Sequence, residues 1–245
     1  MHDQRTLPKN IAGYQSWSDL TFLHWRIEPE SIQKLLPPGL TVETFDHSAW
    51  VGIVPFSMEK VRPWWAPAVP GISWFLETNV RTYVRHTNGD TGVWFFSLDA
   101  NSRLAVRVAR TFWRLPYFYS RLKRLSDTTG KDESRTYTGS RADRQSTSYK
   151  IRIEFKPTEE LQEAQDGTLE HFLLERYLLF AAGKTGSEIY SGRVHHVPYQ
   201  FRKCTVHECS QQLLTASGIT CDNGLPVHAA HSPGVEVVVS PLQKL

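Results

Sequence analysis

The chain has 245 residues, 40% of them hydrophobic and 22% charged, which is enough to bury a core and excludes wholesale disorder. Its net charge of +3 is mild, and three cysteines without a framework spacing indicate reduced thiols rather than a disulfide scaffold. The first residues lack the apolar stretch of a signal peptide, and no apolar run approaches the roughly 20 residues of a membrane helix, so we expect a cytoplasmic protein with no membrane partner.

The first predicted elements are a short helix and two strands. The helix begins at Glu28-Pro29-Glu30-Ser31, because proline and acids suit a first turn, and Pro37-Pro38-Gly39 ends it. Alternating polarity over residues 40–45 predicts a strand. The apolar run 49–58 predicts a buried strand, in which Pro55 marks a bend or an edge.

Residues 62–74 contain three prolines, three tryptophans and a glycine, which predict an irregular aromatic loop. After this loop, the patterns of residues 74–85, 92–100 and 103–110 each predict a strand. Turn signals at Asn88-Gly89-Asp90 and at residues 99–102 separate the three. Such short connections favour antiparallel pairing.

The second half of the chain contains the longest predicted helix, residues 168–182, with Thr168 as its N-cap and Gly183 at its end. The residues that recur there at helical spacing are Leu169, Phe172, Leu173, Arg176, Tyr177 and Phe180. Polar residues 126–143 predict an exposed turn or hairpin. Further strands are predicted at residues 149–155, 189–195, 200–209 and 235–239. These elements indicate an α+β fold, mainly antiparallel β, that forms a closed or curled β-barrel with a few peripheral helices in a single domain over residues 1–245.

The strand after the aromatic loop carries polar chemistry on one face. Its period-2 geometry places Glu77, Asn79, Arg81 and Tyr83 together, opposite an aliphatic face. This row either faces solvent, the usual position of a polar strand face, or lines a lumen. In a lumen, Glu77 held by Arg81 would bind a carboxylate or move a proton. The pattern alone favours solvent.

Several blocks of the chain resemble the conserved uncharacterised YqjF-like family, in order and over nearly its whole length. The blocks are residues 29–58, 75–84 (FLETNVRTYV), 92–100 (GVWFFSLDA), 169–180 and 232–237. That family is similar to the acetoacetate decarboxylase superfamily, whose members share a Pro-x-x-Leu turn, here Pro37-Pro38-Gly39-Leu40, and a Leu-Asp turn, here Leu98-Asp99. In the decarboxylase a glutamate matching Glu77 lines the active-site cavity. The resemblance therefore implies an acetoacetate-decarboxylase-like fold in which the polar row faces a lumen.

The same resemblance argues against the decarboxylase reaction. The family forms a Schiff base through a lysine in a Tyr-Pro-Lys-Lys motif, and the corresponding stretch here is residues 111–119. Aligned on the proline, Tyr117 occupies the position of the nucleophile, and a shift of two residues gives Leu115. No lysine lies between Lys60 and Lys123, so imine chemistry is not expected. The family's cavity arginine on the first strand is also missing, because the matching stretch begins at Trp17.

Two functional hypotheses follow for one cavity, and neither needs a cofactor. In the first, the protein binds a partly apolar carboxylic or keto acid. The candidate ligand-binding residues are Asn79, Arg81, Tyr83, Arg107, Trp64 and Trp65, the two tryptophans forming a rim or lid. In the second, a non-covalent enzyme acts on an oxo-acid with Glu77 as general acid/base and Tyr117 as proton donor, while Arg81 or Arg107 holds the carboxylate.

Other partners have weaker support. Residues 101–152 carry 13 Lys/Arg and 4 Asp/Glu, which would suit nucleic acid, with Arg135, Arg141 and Arg144 as the residues to test. No helix-turn-helix, finger or RNP signature accompanies this charge, so nucleic acid is not expected, and arginines on the solvent faces of strands and in a loop account for the charge. A metal site at Cys204, His207 and Cys209 is not expected, because Cys204 would face away from the other two on a strand. The superfamily's habit of forming oligomers allows a homo-oligomer as partner.

Overall fold

The computed structural model describes residues 6–142, 147–156, 158–183, 186–221 and 224–245. The strands are β1 Gly13–Ile27, β2 Leu40–Val42, β3 Thr44–Phe45, β4 Ser48–Pro63, β5 Phe75–His86, β6 Thr91–Ala100, β7 Tyr117–Asp127, β8 Glu133–Arg141, β9 Ser148–Phe155, β10 Gln162–Glu163, β11 Leu178–Ala182, β12 Ile189–His195, β13 Gln200–Lys203, β14 Thr205–Cys209, β15 His228–Val239 and β16 Gln243–Lys244. The helices are α1 Pro29–Gln33, α2 Arg103–Val108, α3 Leu169–Leu174 and α4 Gln212–Ala216, and a π-helical turn, Ala109–Trp113, continues α2.

Seven of the strands pair in a closed ring. The order runs β6-β11-β12-β15-β1-β4-β5, and β5 pairs again with β6 along nine residue pairs. Most neighbours are antiparallel, while β11 and β7 each pair with β6 in parallel. The prediction of an α+β fold dominated by antiparallel strands is thereby confirmed.

A second, outer sheet of β7, β8, β9 and β14 covers one side of the ring. The alternation of side chains sorts the ring strands into two cores. The inner core surrounds the centre of the ring and includes Phe22, Phe56 and Leu98. The outer core packs residues such as Val51 and Val80 of the ring against β7, β8, β9 and α4. The ring therefore has an inside and an outside face, and a third, smaller cluster lies between β2, β5, β11 and β12.

The strand predicted at residues 103–110 is wrong, because this segment is α2 followed by the π-helical turn. Ser102 caps the helix by accepting a hydrogen bond from the Ala105 backbone N–H at 3.3 Å. The physical reason lies in the sheet: β6 and β7 are parallel, so the chain between them must cross over, which usually needs a helix.

The helix predicted over residues 168–182 is too long. Its start is confirmed, since Thr168 caps α3 by accepting from the His171 N–H, but α3 ends at Leu174. Residues Leu178–Ala182 form β11 instead, which fills the place between β6 and β12 in the ring. The hydrogen bonds of two flanking strands outweigh the local helical pattern.

The remaining predictions differ from the structure in detail. The polar segment 126–143 forms the β7–β8 hairpin, with half-buried residues in β8, and Asp143 lies outside the described residues. Strand β1 had no predicted counterpart. Pro55 does not stand at an edge: it pairs with Thr78 of β5 in an unbroken register. On its other side the β1–β4 register shifts between Ser18 and Leu23, the kind of irregularity at which a sheet tolerates proline.

Within the described ranges, no helix is long and apolar enough to cross a membrane.

Candidate functional site

The inside of the ring holds a cavity of about 790 Å³. Most of its walls are apolar side chains of the inner core, among them Leu20, Val54 and Phe95. Glu77, Asn79 and Arg81 of β5 also line it, because the odd positions of this strand point inward. A volume of this size suits a small organic ligand.

Glu77 and Tyr117 form a buried pair on the cavity wall. Tyr117 begins β7, and its phenol donates a hydrogen bond of 2.7 Å to Glu77 Oε2. Burial raises the pKa of Glu77 to about 8; the Tyr117 hydrogen bond opposes this, and the nearby Asp99 adds to it. Burial, and then the Glu77 carboxylate, raise the pKa of Tyr117 well above its usual value. At neutral pH the pair is therefore a neutral acid beside a neutral phenol, a set that can donate protons.

Arg81 is a buried cation without an acidic partner. Its residue is only 7% exposed, and its Nη2 donates to the Leu173 carbonyl at 2.9 Å. Its Nε has no hydrogen-bond partner, and no ion pair of Arg81 is found in the described part of the chain. The expected Glu77–Arg81 pair is thus not formed, since each side chain has another neighbour. A buried charge is costly unless it is paired, so this guanidinium is suited to an incoming anion.

Tyr83 lies behind the cavity rather than on its wall. It is fully buried, its hydroxyl donates to the same Leu173 carbonyl at 2.9 Å, and it stands 2.7 Å from Nε2 of His24. The other nitrogen of His24 is 3.0 Å from Nδ1 of His228. Burial, with the neighbouring His228, holds the pKa of His24 well below its usual value, so this chain of polar groups is neutral. Tyr83 therefore supports the segment that fixes Arg81.

Arg176 is a charged lining residue that the sequence did not predict. It follows α3, contributes to the cavity wall, and pairs through Nη1 with Glu43 at 2.6 Å. Burial lowers its pKa, and Glu43 opposes that effect. One feature of the sequence could have identified Arg176: it is a charged residue among apolar residues that recur at helical spacing. Asn79 adds a buried Oδ1 that lacks a hydrogen-bond partner.

Of the two tryptophans expected to form a rim or lid, one lies on the cavity wall. Trp65 lines the cavity and is 72% exposed, whereas Trp64 is 63% exposed and does not line it. Arg107 lies on the exposed side of α2 and is not among the lining residues. The structure therefore brings Glu77, Asn79, Arg81 and Tyr117 together and leaves Arg107 apart.

Several arginines of the basic segment 101–152 form ion pairs within the protein and are not available to an external partner. Arg135 and Arg124 both pair with Asp19, at 3.1 and 2.9 Å. Arg141 is buried and pairs with Asp99 at 2.7 Å. Arg144 lies outside the described residues. Replacing Arg135 or Arg141 would therefore disturb the fold, so these residues are unsuitable probes of nucleic-acid binding.

The Cys204–Cys209 segment has its own contacts. His207 pairs with Glu154 at 3.0 Å across β14 and β9. Searching the described ranges for three or more clustered metal-ligating side chains finds none. No lysine occurs among the described residues that line the cavity, in accord with the lysine-free stretch between Lys60 and Lys123.

Three solved structures resemble this fold. An acetoacetate decarboxylase-like enzyme from Sphingomonas wittichii RW1 matches with a TM-score of 0.62 and 12% identity, over 96% of this chain and 93% of that one. Acetoacetate decarboxylase from Legionella pneumophila subsp. pneumophila str. Philadelphia 1 matches with a TM-score of 0.63 and 13% identity, over 100% and 92%. The enduracididine biosynthesis enzyme MppR, in complex with pyruvate, matches with a TM-score of 0.60 and 10% identity, over 98% and 91%. These likenesses show an acetoacetate-decarboxylase-like fold; at such identities they do not transfer an activity.

Sequence similarity defines a closer group. The uncharacterised protein YqjF of Bacillus subtilis (strain 168) is 32% identical over 231 residues, which cover 94% of this chain and 91% of that protein. A family model described as an uncharacterised conserved protein, DUF2071, matches residues 14–236. Because this match spans almost all of the ring and the outer sheet, the chain belongs to the DUF2071 family.

Proposed function

We propose that this protein binds a small, partly apolar carboxylic or keto acid in the ring cavity, without Schiff-base decarboxylase activity. The observation that carries the proposal is Arg81, a buried guanidinium that faces an apolar cavity with no acid beside it. A ligand carboxylate would neutralise this charge, and the apolar walls would take the rest of the molecule. The fold neighbour MppR was solved with pyruvate, a keto acid of this class.

Thermal shifts measured with acids of increasing apolar length test the proposal. We expect pyruvate and longer 2-oxo acids to raise the melting temperature, since ligand at about 100 times its Kd adds about 2.7 kcal/mol of stability. The corresponding uncharged amides should have no effect. Arg81→Met should abolish the shift and should leave the ligand-free protein at least as stable, because it removes an unpaired buried charge. The matched control is Arg152→Gln, an exposed arginine on β9, which should keep the full shift. Equal shifts from acids and amides would refute a carboxylate site.

The absence of imine chemistry has a separate test. Incubation with acetoacetate and borohydride should give no adduct by mass spectrometry, because no lysine lines the cavity within the described residues. Acetoacetate decarboxylase is the positive control. A covalent adduct on any lysine would overturn this part of the proposal without touching the carboxylate site.

The Glu77–Tyr117 pair favours a second candidate, a non-covalent enzyme that enolises an oxo-acid. With a pKa of about 8, Glu77 is ionised in a fraction of the molecules near neutral pH. That carboxylate would take the proton from the carbon next to the keto group, and the Tyr117 hydroxyl would donate a hydrogen bond to the enolate oxygen. Hydrogen–deuterium exchange at the carbon next to the keto group, followed by NMR in D₂O, measures this step directly. Glu77→Gln should abolish the exchange while the ligand-induced thermal shift persists. Binding without catalysed exchange in the unmodified protein would leave only the first candidate.

A further inference from the structure

The mouth of the cavity is bordered by exposed apolar side chains from two separate segments. One is the loop between β4 and β5, and the other is α2 with its π-helical turn. We call mouth rim the six residues Trp64, Trp65, Ile72, Leu104, Val108 and Phe112, all of them exposed. Trp65 and Phe112 are 72% and 67% exposed.

The mouth rim is one surface rather than a scatter of single side chains. Trp65 from the loop and Val108 and Phe112 from the helical segment all line the same cavity and are also exposed. Leu104 and Val108 lie four residues apart and therefore share a face of α2. Contiguous exposed apolar patches mark contact sites, whereas isolated ones need no explanation.

The two segments that form the mouth rim carry positive charge and no acidic residue. No Asp or Glu occurs at residues 60–76 or 100–126, while arginines stand on both segments. The guanidiniums of Arg62, Arg103 and Arg114 lie 4.3, 4.7 and 4.4 Å from the aromatic rings of Tyr14, Tyr119 and Tyr190. Among the described residues, Arg62, Arg103 and Arg107 form no ion pair with a carboxylate, whereas Arg114 lies near Glu188 and helps to lower the pKa of that carboxyl. The charge of Arg62, Arg103 and Arg107 is thus available to an external anion.

We propose that the mouth rim docks on an anionic lipid surface, with the cavity opening toward the bilayer. Tryptophans and phenylalanine enter the headgroup region favourably, and arginines bind lipid phosphates. A second copy fits less well, since a two-fold contact would place these two arginine-bearing segments against themselves, and neither segment carries an acid to offset the repulsion. The expectation of no membrane partner rested on membrane-spanning runs alone and does not address surface contact. This inference is independent of the cavity ligand.

Cosedimentation of the full chain with vesicles tests the proposal. We expect binding to phosphatidylcholine vesicles that contain roughly one-third phosphatidylglycerol, and weak binding to phosphatidylcholine alone. Binding should weaken in about 1 M salt, which shortens the Debye length to about 3 Å. The triple variant Trp64→Ser/Trp65→Ser/Phe112→Ser should lose at least about tenfold in affinity. Leu125→Ser should bind normally, because this exposed leucine lies eight residues, roughly 26 Å, along β7 from Tyr117 of the cavity wall.

Variants that remove arginines isolate the electrostatic contribution to vesicle binding. Arg103→Gln/Arg107→Gln should weaken binding to anionic vesicles, whereas Lys123→Gln/Arg152→Gln on the outer sheet should not. Circular dichroism and thermal melting verify that each variant is folded. Failure of the unmodified protein to bind anionic vesicles at low salt would overturn the proposal, as would full binding by the folded triple variant. A self-associated protein that binds no vesicles and becomes monomeric in the triple variant would show that a second copy covers the mouth rim instead, which also overturns it.

Discussion

Glu77 is an acid whose environment opposes ionisation, and this has a consequence for stability. Its pKa is about 8 in the folded protein against a usual value of 4.5. Below the usual value the carboxyl is protonated in both folded and unfolded chains. Between the two values the unfolded chain has released its proton while the folded chain retains it, so the free energy of unfolding falls as pH rises. The penalty grows by about 1.4 kcal/mol per pH unit until the folded carboxyl ionises.

Glu77→Gln removes this penalty. At acidic pH we expect the variant to be as stable as the unmodified protein, since the amide still accepts the Tyr117 hydrogen bond. Toward pH 8 the unmodified protein loses stability and the variant does not, so the difference in the free energy of unfolding should grow in favour of the variant. Denaturant unfolding across this pH range measures the difference. Glu160→Gln, at an exposed position, should show no such trend. A constant difference between Glu77→Gln and the unmodified protein at all pH values would contradict the assignment.

Gly52 is needed for close packing behind the cavity. A Cβ at this position would lie 2.8 Å from the His24 ring, which is fixed by its 2.7 Å contact with the Tyr83 hydroxyl. We expect Gly52→Ala to destabilise the fold by about 1–3 kcal/mol because His24 must move. Gly130→Ala, whose nearest neighbour would be 3.4 Å away, is the matched control for chemical denaturation. Equal costs for both variants would show that His24 is not held in place.

The sequence alone predicted only some of the residues that form the site. Period-2 alternation placed Glu77, Asn79 and Arg81 on one face, because strand geometry fixes sidedness locally. It did not provide their partners: the pairing of Glu77 with Tyr117 joins residues 40 positions apart. Arg176 was missed because the segment that holds it reads as helix.

At the scale of elements, α2 exists because β6 and β7 are parallel neighbours. Its six residues are short for a helix, so the Ser102 cap carries a large share of its stability. We expect Ser102→Ala to cost about 1 kcal/mol and to speed amide hydrogen exchange in residues 103–108. Ser126→Ala, an exposed serine on β7, should change neither quantity. Unchanged exchange in the Ser102 variant would mean that tertiary packing alone holds the helix.

The two misassigned elements share one cause. Residues 103–110 alternate as a strand does, and residues 168–182 repeat as a helix does, yet each segment adopts another structure. In both places the pairing of the sheet determines the secondary structure, because the ring needs a crossover after β6 and a strand between β6 and β12. Pairing with distant strands is not encoded in a local period.

At the scale of the molecule, the buried pair Asp99–Arg141 joins the ring to the outer sheet. Asp99 lies on β6 and Arg141 on β8, with side chains 0% and 2% exposed and 2.7 Å apart. Arg141→Met should destabilise the protein by about 3–5 kcal/mol, because it removes the cation that pairs with a buried carboxylate. The double variant Asp99→Asn/Arg141→Met should recover most of this loss. Additive losses in the double-mutant cycle would refute coupling between the two sheets through this pair.

The sequence by itself determined the class of the fold, the approximate limits of strands such as β5, β6, β9 and β12, the polar face of β5 and the lack of any lysine between Lys60 and Lys123. These features depend on residue type and short-range period, which a single chain displays openly. Only the tertiary structure decided that the polar face looks into a cavity, that Arg81 has no acidic neighbour, and that Glu77 stays protonated. Burial and the pairing of distant residues cause all three, and both arise only when the ring closes.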